Sequence, residues 1–538
     1  MPGGGAVVSG SGMQAGKKNV AVGILMAAFA AFGGILFGYD TGTISGLIAM
    51  ENWLQTFADS NPTSEFGFAL TTGNKSLVVS ILSAGTFCGA LLAYPFGDIL
   101  GRRWGLIASC GVFCLGVGLQ LDDTWAVFII GRVIAGLGVG LVSCLVPMYQ
   151  AETSPAWIRG GVVAAYQWAI TIGLLLAAIV NESTKNRQTH AAWQIPIAIQ
   201  FVWAAVLGGG MFILPESPRY LVKRGNAEAA KKSLARLLSL PVTSKEVEYE
   251  YEDIRAGIAR EEETSGGTTY LDCFRDGRNR TRFRVLTGIF LQAWQQLTGI
   301  NFIFYYGTTY FKSAGITNAF VITIITNVVN VVMTIPGILL IDRAGRRNML
   351  LIGAAGMCVC ELIVAITGTT VSFGNKSAQS SLIAFVCIYI AFFAATWGPL
   401  AWVVTSEIFP TNIRAKAMSL STASNWLWNF GIGYATPYLV DPGQGNANLG
   451  SKVFFIWTAT CFGCLIFTWF CIPETKGLSL EQVDLVYLNS SIRGANQYRR
   501  ELLASNVRPS DENAIQRTIT GERTSSHDEK DKNDFEHA

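Results

Sequence analysis

The chain has 538 residues, 50% of them apolar and only 14% charged, with a mean hydropathy of +0.37. That composition over that length excludes an ordinary soluble domain and indicates a polytopic membrane protein. The net charge of +3, with basic residues dispersed, gives no footprint for nucleic acid, and eleven cysteines sitting mostly in apolar stretches imply no disulfide framework.

Residues 1–18 are Gly-rich and read as a cytoplasmic tail, while residues 19–39 carry no charge. At roughly 1.5 Å per residue that run nearly crosses a hydrocarbon core of about 30 Å, and it is too long for the apolar core of a cleaved signal. Apolar stretches of spanning length recur at 74–96, 104–121, 125–149, 160–181, 193–214, 283–310, 317–341, 348–369, 381–405, 415–439 and 451–472, making twelve. Between the sixth and seventh, residues 215–282 carry "GNAEAAKKSLARLLSL" and "KEVEYEYEDIRAGIAREEE", whose spacing predicts short solvated helices. The expected architecture is an all-α membrane protein: a six-helix half (19–214), a cytoplasmic linker (215–282), a second half (283–472) and a cytoplasmic tail (473–538).

Lys and Arg placement sets the orientation. Arg102 and Arg103, Arg159, the linker, Arg343, Arg346 and Arg347, and Arg414 with Lys416 follow the even-numbered spans, so those connections and both termini are expected in the cytoplasm. Of the glycosylation sequons, Asn181 and Asn375 then fall on the outer side, Asn74 close to it and Asn489 inside. Cys461 and Cys464 have CxxC spacing inside an apolar helix with no further ligands nearby, so they read as packing rather than metal ligands.

The two halves repeat each other. "GDILGRRWG" after span two is answered by "DRAGRRN" after span eight, and "AETSPAWIRG" after span four by "SEIFPTNIRA" after span ten, with Glu152 to Arg159 and Glu407 to Arg414 at one separation. Parallel halves of this kind are expected to rock about a substrate held between them near the midplane. Gly97, Asp98, Arg102, Arg103, Glu152 and Arg159, with Asp342, Arg343, Arg346, Arg347, Glu407 and Arg414, are the expected gate, an Arg–carboxylate network at the cytoplasmic helix ends that would latch the two halves together. The same residues could instead act only as topology determinants and helix caps.

"GRR" after spans two and eight, "PMYQAETSPAWIRG", "PESPR" (215–219), "QQLTGIN" (295–301), "WGPLAWVVTSE" (397–407) and "PETKG" (473–477) together resemble the sugar porter family of the major facilitator superfamily over about residues 20–485. "FGYDTGTISG" is similar to fungal hexose transporters in particular. The resemblance implies monosaccharide transport by alternating access, a monomeric transport unit in the plasma membrane, and no cofactor or metal.

A neutral polyol in a low-dielectric cavity calls for uncharged donors and acceptors. Gln167 in span five, Gln295, Gln296 and Asn301 in span seven, Asn330 in span eight, and Asn425 with Trp426 in span eleven offer them within apolar stretches. On composition alone such residues could equally glue helices together. The resemblance assigns them to the sugar site, along with Trp402 and the aromatics Phe37 and Tyr305; with 11% of the chain aromatic, Trp397 and Phe304 read as packing. Gly398 and Pro399 predict a break in span ten that lets its outer part act as a gate, and "GTISG" predicts similar flexibility in span one.

Asp40 stands within span one, where a carboxylate is costly and marks a proton path or an ion pair. Span one runs outward and span four inward, so Asp40 and Arg132 are expected at similar depth in the outer half, forming a pair. The resemblance makes this the proton-coupling pair of symporting members; a permanent bridge between spans one and four is the other reading. Glu361 in span nine reads as a lone acid that faces lipid headgroups, is protonated or is paired, with a second proton site as the weaker reading. A sugar sensor, which would be expected to have a longer cytoplasmic extension, and a membrane enzyme, for which no nucleotide loop, triad or metal cluster is present, are the weaker function classes.

Overall fold

A computed structural model describes residues 23–504, apart from residues 24, 27, 63–65, 155–158, 266–269, 276–279, 314–317, 371–375, 411–412, 444, 479 and 491–493. The chain is a bundle of twelve spans. In the first half they are span one (Phe32–Leu47), two (Thr72–Leu100), three (Arg102–Leu119), four (Trp125–Thr153), five (Arg159–Thr184) and six (Ala191–Ala198 with Gln200–Ile213). In the second half they are span seven (Thr281–Leu297 with Ile300–Ser313), eight (Ala319–Ala344), nine (Arg346–Thr370), ten (Lys376–Ala395 with Trp397–Ile408), eleven (Arg414–Val440) and twelve (Val453–Cys471). Nine described helices are long and apolar enough to cross a membrane. Spans one, seven and eleven are not among them. Span one is short as described, span seven is broken, and span eleven carries "SLSTASNWLWN".

Three spans are interrupted, each for a local reason. Span six bends at Ile199, just after Pro196. Span seven breaks where Gly299 takes φ +84°, a conformation that costs a side chain dearly and glycine nothing. Span ten breaks at Thr396 (φ −132°, ψ −85°), three residues ahead of Pro399, which has no N–H for the Ala395 carbonyl one turn back. The break predicted at Gly398–Pro399 therefore falls on the N-terminal side of the proline, where its ring would collide with the helix.

Span one does not bend at "GTISG"; the helix is continuous through it. Gly34, Gly38, Gly42 and Gly46 lie one turn apart and form a stripe against span five. A Cβ on them would come within 2.5 Å of Tyr166 O, 2.0 Å of Ile170 O, 2.9 Å of Ala177 Cβ and 2.2 Å of Asn181 Nδ2. These glycines serve close approach rather than flexibility, since removing side chains lets two membrane helices touch along their backbones. Gly38→Ala forces the two helices apart, at a cost of about 1–3 kcal/mol for overpacking. The expected result is a lower melting temperature in detergent and less protein at the membrane, both readable on a fluorescent fusion.

The halves meet where span two packs on span eleven and span five on span eight, with span one against the second segment of span seven. The linker forms helices Pro218–Lys223, Ala227–Leu238 and Lys245–Ser265 around a small apolar core of Ala230, Leu234, Val247 and Tyr251. The segment after span twelve, read as a plain tail, contributes helices Leu480–Asn489 and Ala495–Ala504. The buried Arg284 of span seven anchors the first of them: it pairs with Asp484, lies 4.6 Å from the Tyr487 ring, and donates from Nε to Ile408 O at 2.5 Å. Residues 1–22 and 505–538, and the sequon at Asn375, lie outside the described residues. Asn181 is buried and its Nδ2 donates to Gly42 O and Thr43 O at 3.4 and 3.2 Å, so it offers no accessible glycan acceptor.

Candidate functional site

Asp40 and Arg132 meet. Arg132 Nη1 lies 3.2 Å from Asp40 Oδ1, with the two side chains 2% and 0% exposed. The contact is single rather than bidentate: Asp40 Oδ2 and Arg132 Nε and Nη2 have no hydrogen-bond partner. A buried pair left half-satisfied is weakly held compared with a forked one, which suits a bond that opens. Gln200, at the bend of span six, lies beside Asp40 with its own amide unbonded. Sequence reasoning passed over it, and a lone polar residue next to a proline kink was the available signal.

A cluster of amides fills the contact between spans seven, ten and eleven. Gln295 donates to Trp397 O and Gly398 O at 3.0 and 2.9 Å, and accepts from Asn425 Nδ2 at 2.7 Å. Gln296 donates to Asn425 Oδ1 at 3.0 Å and accepts from Asn301 and from Asn429 Nδ2 at 3.2 Å. Tyr305 Oη donates to Asn429 Oδ1 at 2.8 Å. Gln292 joins the cluster by accepting from Asn425 at 2.7 Å, and Ser83 of span two donates to Asn429 at 2.6 Å. Gln292, Asn429 and Ser83 were not picked out from the sequence. The signal for two of them was spacing, since Gln292 is one turn before Gln295 and Asn429 one turn after Asn425.

The break at Gly299 brings Asn301 back onto Gln296, five residues before it in the chain. Gln167 reaches span ten, where its Nε2 lies 3.5 Å from the position of a Cβ on Gly398. Asn330 is buried with neither amide atom bonded. Trp402 is buried with its ring 6.1 Å from Tyr166, and Trp397 donates to Leu350 O at 2.9 Å as a packing residue. Trp426 ties the two sites together. Its ring meets Phe37 edge-on at 4.9 Å, and its Nε1 donates to Ser143 Oγ of span four at 3.2 Å. Phe37 is one turn before Asp40, while Ser143 lies three turns along span four from Arg132.

The arginine-bearing helix ends form two matching clusters. Arg102 pairs with Glu152 at 2.9 Å and Asp98 at 3.4 Å, and donates to Gly97 O at 3.1 Å. Arg346 pairs with Glu407 at 2.8 Å and donates to Ile341 O at 3.3 Å. Arg103 and Arg347 donate to carbonyls in the last turns of spans six and twelve, at Phe212 O (2.6 Å) and Trp469 O (2.8 Å). The expected latch across the halves is not what these pairs make: each closes inside its own half, because the helix ends that carry the motif and its glutamate are neighbours there. Arg414 donates to Phe409 O at 3.1 Å, Arg343 is exposed, and the side chains of Arg159 and Asp342 lie outside the described residues.

Glu216 of "PESPR" and Glu474 of "PETKG" complete the two clusters. Glu216 accepts from the backbone N–H of Arg102 and Arg103 at 3.0 and 3.1 Å, and Glu474 from those of Arg346 and Arg347 at 2.9 and 3.1 Å. Each carboxylate caps the start of a span, where unbonded N–H groups and the helix dipole favour an anion. Burial pushes the Glu216 carboxyl above its ordinary range, against the lowering effect of those N–H groups. Of the readings offered for Glu361, the headgroup-facing one fails: it is 1% exposed inside the second half.

The pattern of the "Sugar (and other) transporter" family matches residues 26–487. Over 475 residues the chain is 54% identical to the "Major facilitator-type transporter ecdD" of Aspergillus rugulosus, covering 86% of this chain and 87% of that one. It is 46% identical to the "Probable glucose transporter rco-3" of Neurospora crassa, covering 86% and 79%. Among solved structures it superposes on the proton:xylose symporter XylE bound to 6-bromo-6-deoxy-D-glucose with a TM-score of 0.73 at 29% identity, covering 87% and 99%. With the family pattern spanning all twelve helices and the amide cluster and ion pair set between them, the chain belongs to the sugar transporter family of the major facilitator superfamily.

Proposed function

We propose that the protein carries a monosaccharide, a hexose such as glucose or a pentose such as xylose, across the plasma membrane together with a proton. The observation that carries this reading is the uncharged amide cluster of Gln295, Gln296, Asn301, Asn425 and Asn429 on the second half, faced by Gln167 of the first. Its members bond mainly to one another, so sugar hydroxyls can replace amide partners one for one without leaving a charge unpaired. The ring faces of Trp426, Phe37 and Trp402 are suited to the apolar face of a pyranose.

Asp40 takes a proton from the outside, which removes its charge and releases Arg132. Sugar then binds, the halves rock, and loss of the proton inside restores the pair. The arginine ends are cytoplasmic in this reading, with both termini, and the two clusters of Arg102 and Arg346 stiffen the inner end of each half while Gly398, Pro399 and the Thr396 break let span ten bend over the site. The transport unit is one chain in the lipid bilayer.

The test is uptake of several radiolabelled sugars in a cell lacking its own transporters, at varied external pH and with an uncoupler. The expected result is accumulation above the external concentration that rises with acidity and collapses with the uncoupler. Uptake that stops at equilibrium and ignores the uncoupler identifies a facilitated-diffusion carrier and removes the proton from the scheme.

A further inference from the structure

The break in span seven is capped from outside the helix. Carbonyls in the last turn before Gly299 look for N–H groups that the break has taken away, and side chains of spans ten and twelve supply donors. Leu297 O accepts from Thr460 Oγ1 at 2.6 Å, and Thr298 O accepts from Tyr389 Oη at 2.7 Å and from Cys461 Sγ at 3.8 Å. Cys464 Sγ reaches Trp294 O at 3.6 Å. Cys461 and Cys464 are therefore weak donors to this turn and not merely filler.

Glu361 of span nine lies directly behind this cap. It is 1% exposed, and the groups facing its carboxyl are the Tyr389 hydroxyl and the Cys461 thiol. Both direct their hydrogens at Thr298 O, and neither carboxyl oxygen makes a hydrogen bond. The other titratable groups near it are Cys358 and Cys360 on its own span and Cys464 on span twelve, and among the described residues no Lys, Arg or His acts on it. An ionised carboxylate would have no cation here, and to gain a donor it would have to draw the Tyr389 or Cys461 hydrogen away from Thr298 O. A carboxylic acid fits, since its one O–H can go to the lone pair that Tyr389 Oη still has free.

We propose that Glu361 stays a carboxylic acid throughout the transport cycle and is a positioning residue for the sugar site, donating to Tyr389 so that Tyr389 caps Thr298 at the break of span seven. The proposal rests on the sugar-transport reading above. The break joins the turn carrying Gln295 and Gln296 to the segment carrying Asn301 and Tyr305, so the cap fixes how those two groups of sugar ligands face one another. Glu361 itself touches no sugar and passes on no proton.

The experiment compares wild type with Glu361→Gln, Glu361→Leu and Tyr389→Phe, measuring KM and maximal uptake per molecule at the cell surface as a function of pH, and the infrared band of a protonated carboxyl in the purified protein. Glu361→Leu and Tyr389→Phe are expected to raise KM by roughly 3–10-fold, the worth of one buried hydrogen bond, with little change in maximal rate. Glu361→Gln, whose amide donates the same bond, keeps KM near that of wild type, and the pH profile is the same in all four proteins. The infrared band is present in wild type across the pH range in which it stays folded, and part of it is lost in Glu361→Gln.

A pH profile shifted by Glu361→Gln, or accumulation lost in it, makes Glu361 a proton carrier and overturns the proposal. Unchanged KM in both Glu361→Leu and Tyr389→Phe overturns the positioning role, and Tyr389→Phe alone decides it if Glu361→Leu fails to reach the surface. Wild type that moves no sugar at all overturns the transport reading and the positioning role with it, while the infrared band still reports whether Glu361 holds its proton.

Discussion

Asparagine at position 40 is expected to leave a protein that reaches the membrane but accumulates no sugar. The substitution keeps the size of the side chain and removes its charge, so Arg132 loses its buried anion while Arg132 Nε and Nη2 already lack partners. Removing one member of a buried pair costs about 3–5 kcal/mol, because the remaining charge is stranded. That penalty falls on the state in which the pair is closed. If about 3 kcal/mol of it enters the return step, the cycle slows by on the order of 100-fold. The internal-to-external ratio of a radiolabelled sugar, followed with pH and uncoupler, should sit at one in Asp40→Asn and above one in wild type. A second variant, Asp40→Asn with Arg132→Leu, removes the stranded charge and should recover melting temperature without recovering accumulation. Wild-type accumulation in Asp40→Asn would mean that the pair is a fixed bridge between spans one and four.

Gln296→Ala is expected to have the largest effect on sugar affinity of any single amide change. Gln296 is the junction of the cluster, bonded to Asn301, Asn425 and Asn429, and its loss strips a partner from each. Two or three buried hydrogen bonds at about 1 kcal/mol each correspond to a loss of roughly 30- to 200-fold in apparent affinity. Trp397 and Gly398 remain held by Gln295, so span ten should keep its bend and the protein its surface abundance. Uptake kinetics for several sugars, normalised to surface protein, check this. An unchanged KM for every sugar would place the binding site elsewhere.

The spans were legible because burial in a bilayer demands long apolar runs, and the duplication because its motifs recur at fixed spacing. Asp40 and Arg132 could be paired from depth alone, since two charges inside apolar helices have few ways to be satisfied. What hydropathy does not carry is which side of a helix faces which neighbour. Gly42 and Gly46 of "GTISG" read as a soft segment, when the feature they share with Gly34 and Gly38 is one face of one helix. Glu361 read as an edge residue because nothing in its own span says that Tyr389 and Cys461, one from span ten and one from span twelve, stand over it. The arginines and glutamates of the expected gate do pair, but within each half rather than across the halves. Equal spacing in the two halves says that Arg102 and Arg346 do the same job, and leaves open whether they do it together or apart.

The glycine stripe carries one more implication. With Gly34, Gly38 and Gly42 lying on the backbone of span five over about two turns, spans one and five cannot slide or roll past each other without collision, so they behave as a single plank. In the transport cycle proposed above, Asp40 and Gln167 become two marks on that plank, a proton-binding group and a sugar-facing amide held at constant separation. In that cycle the ruler between them keeps its length whichever side of the membrane the cavity faces, and the travelling parts are the arginine on one side of it and the tryptophan on the other.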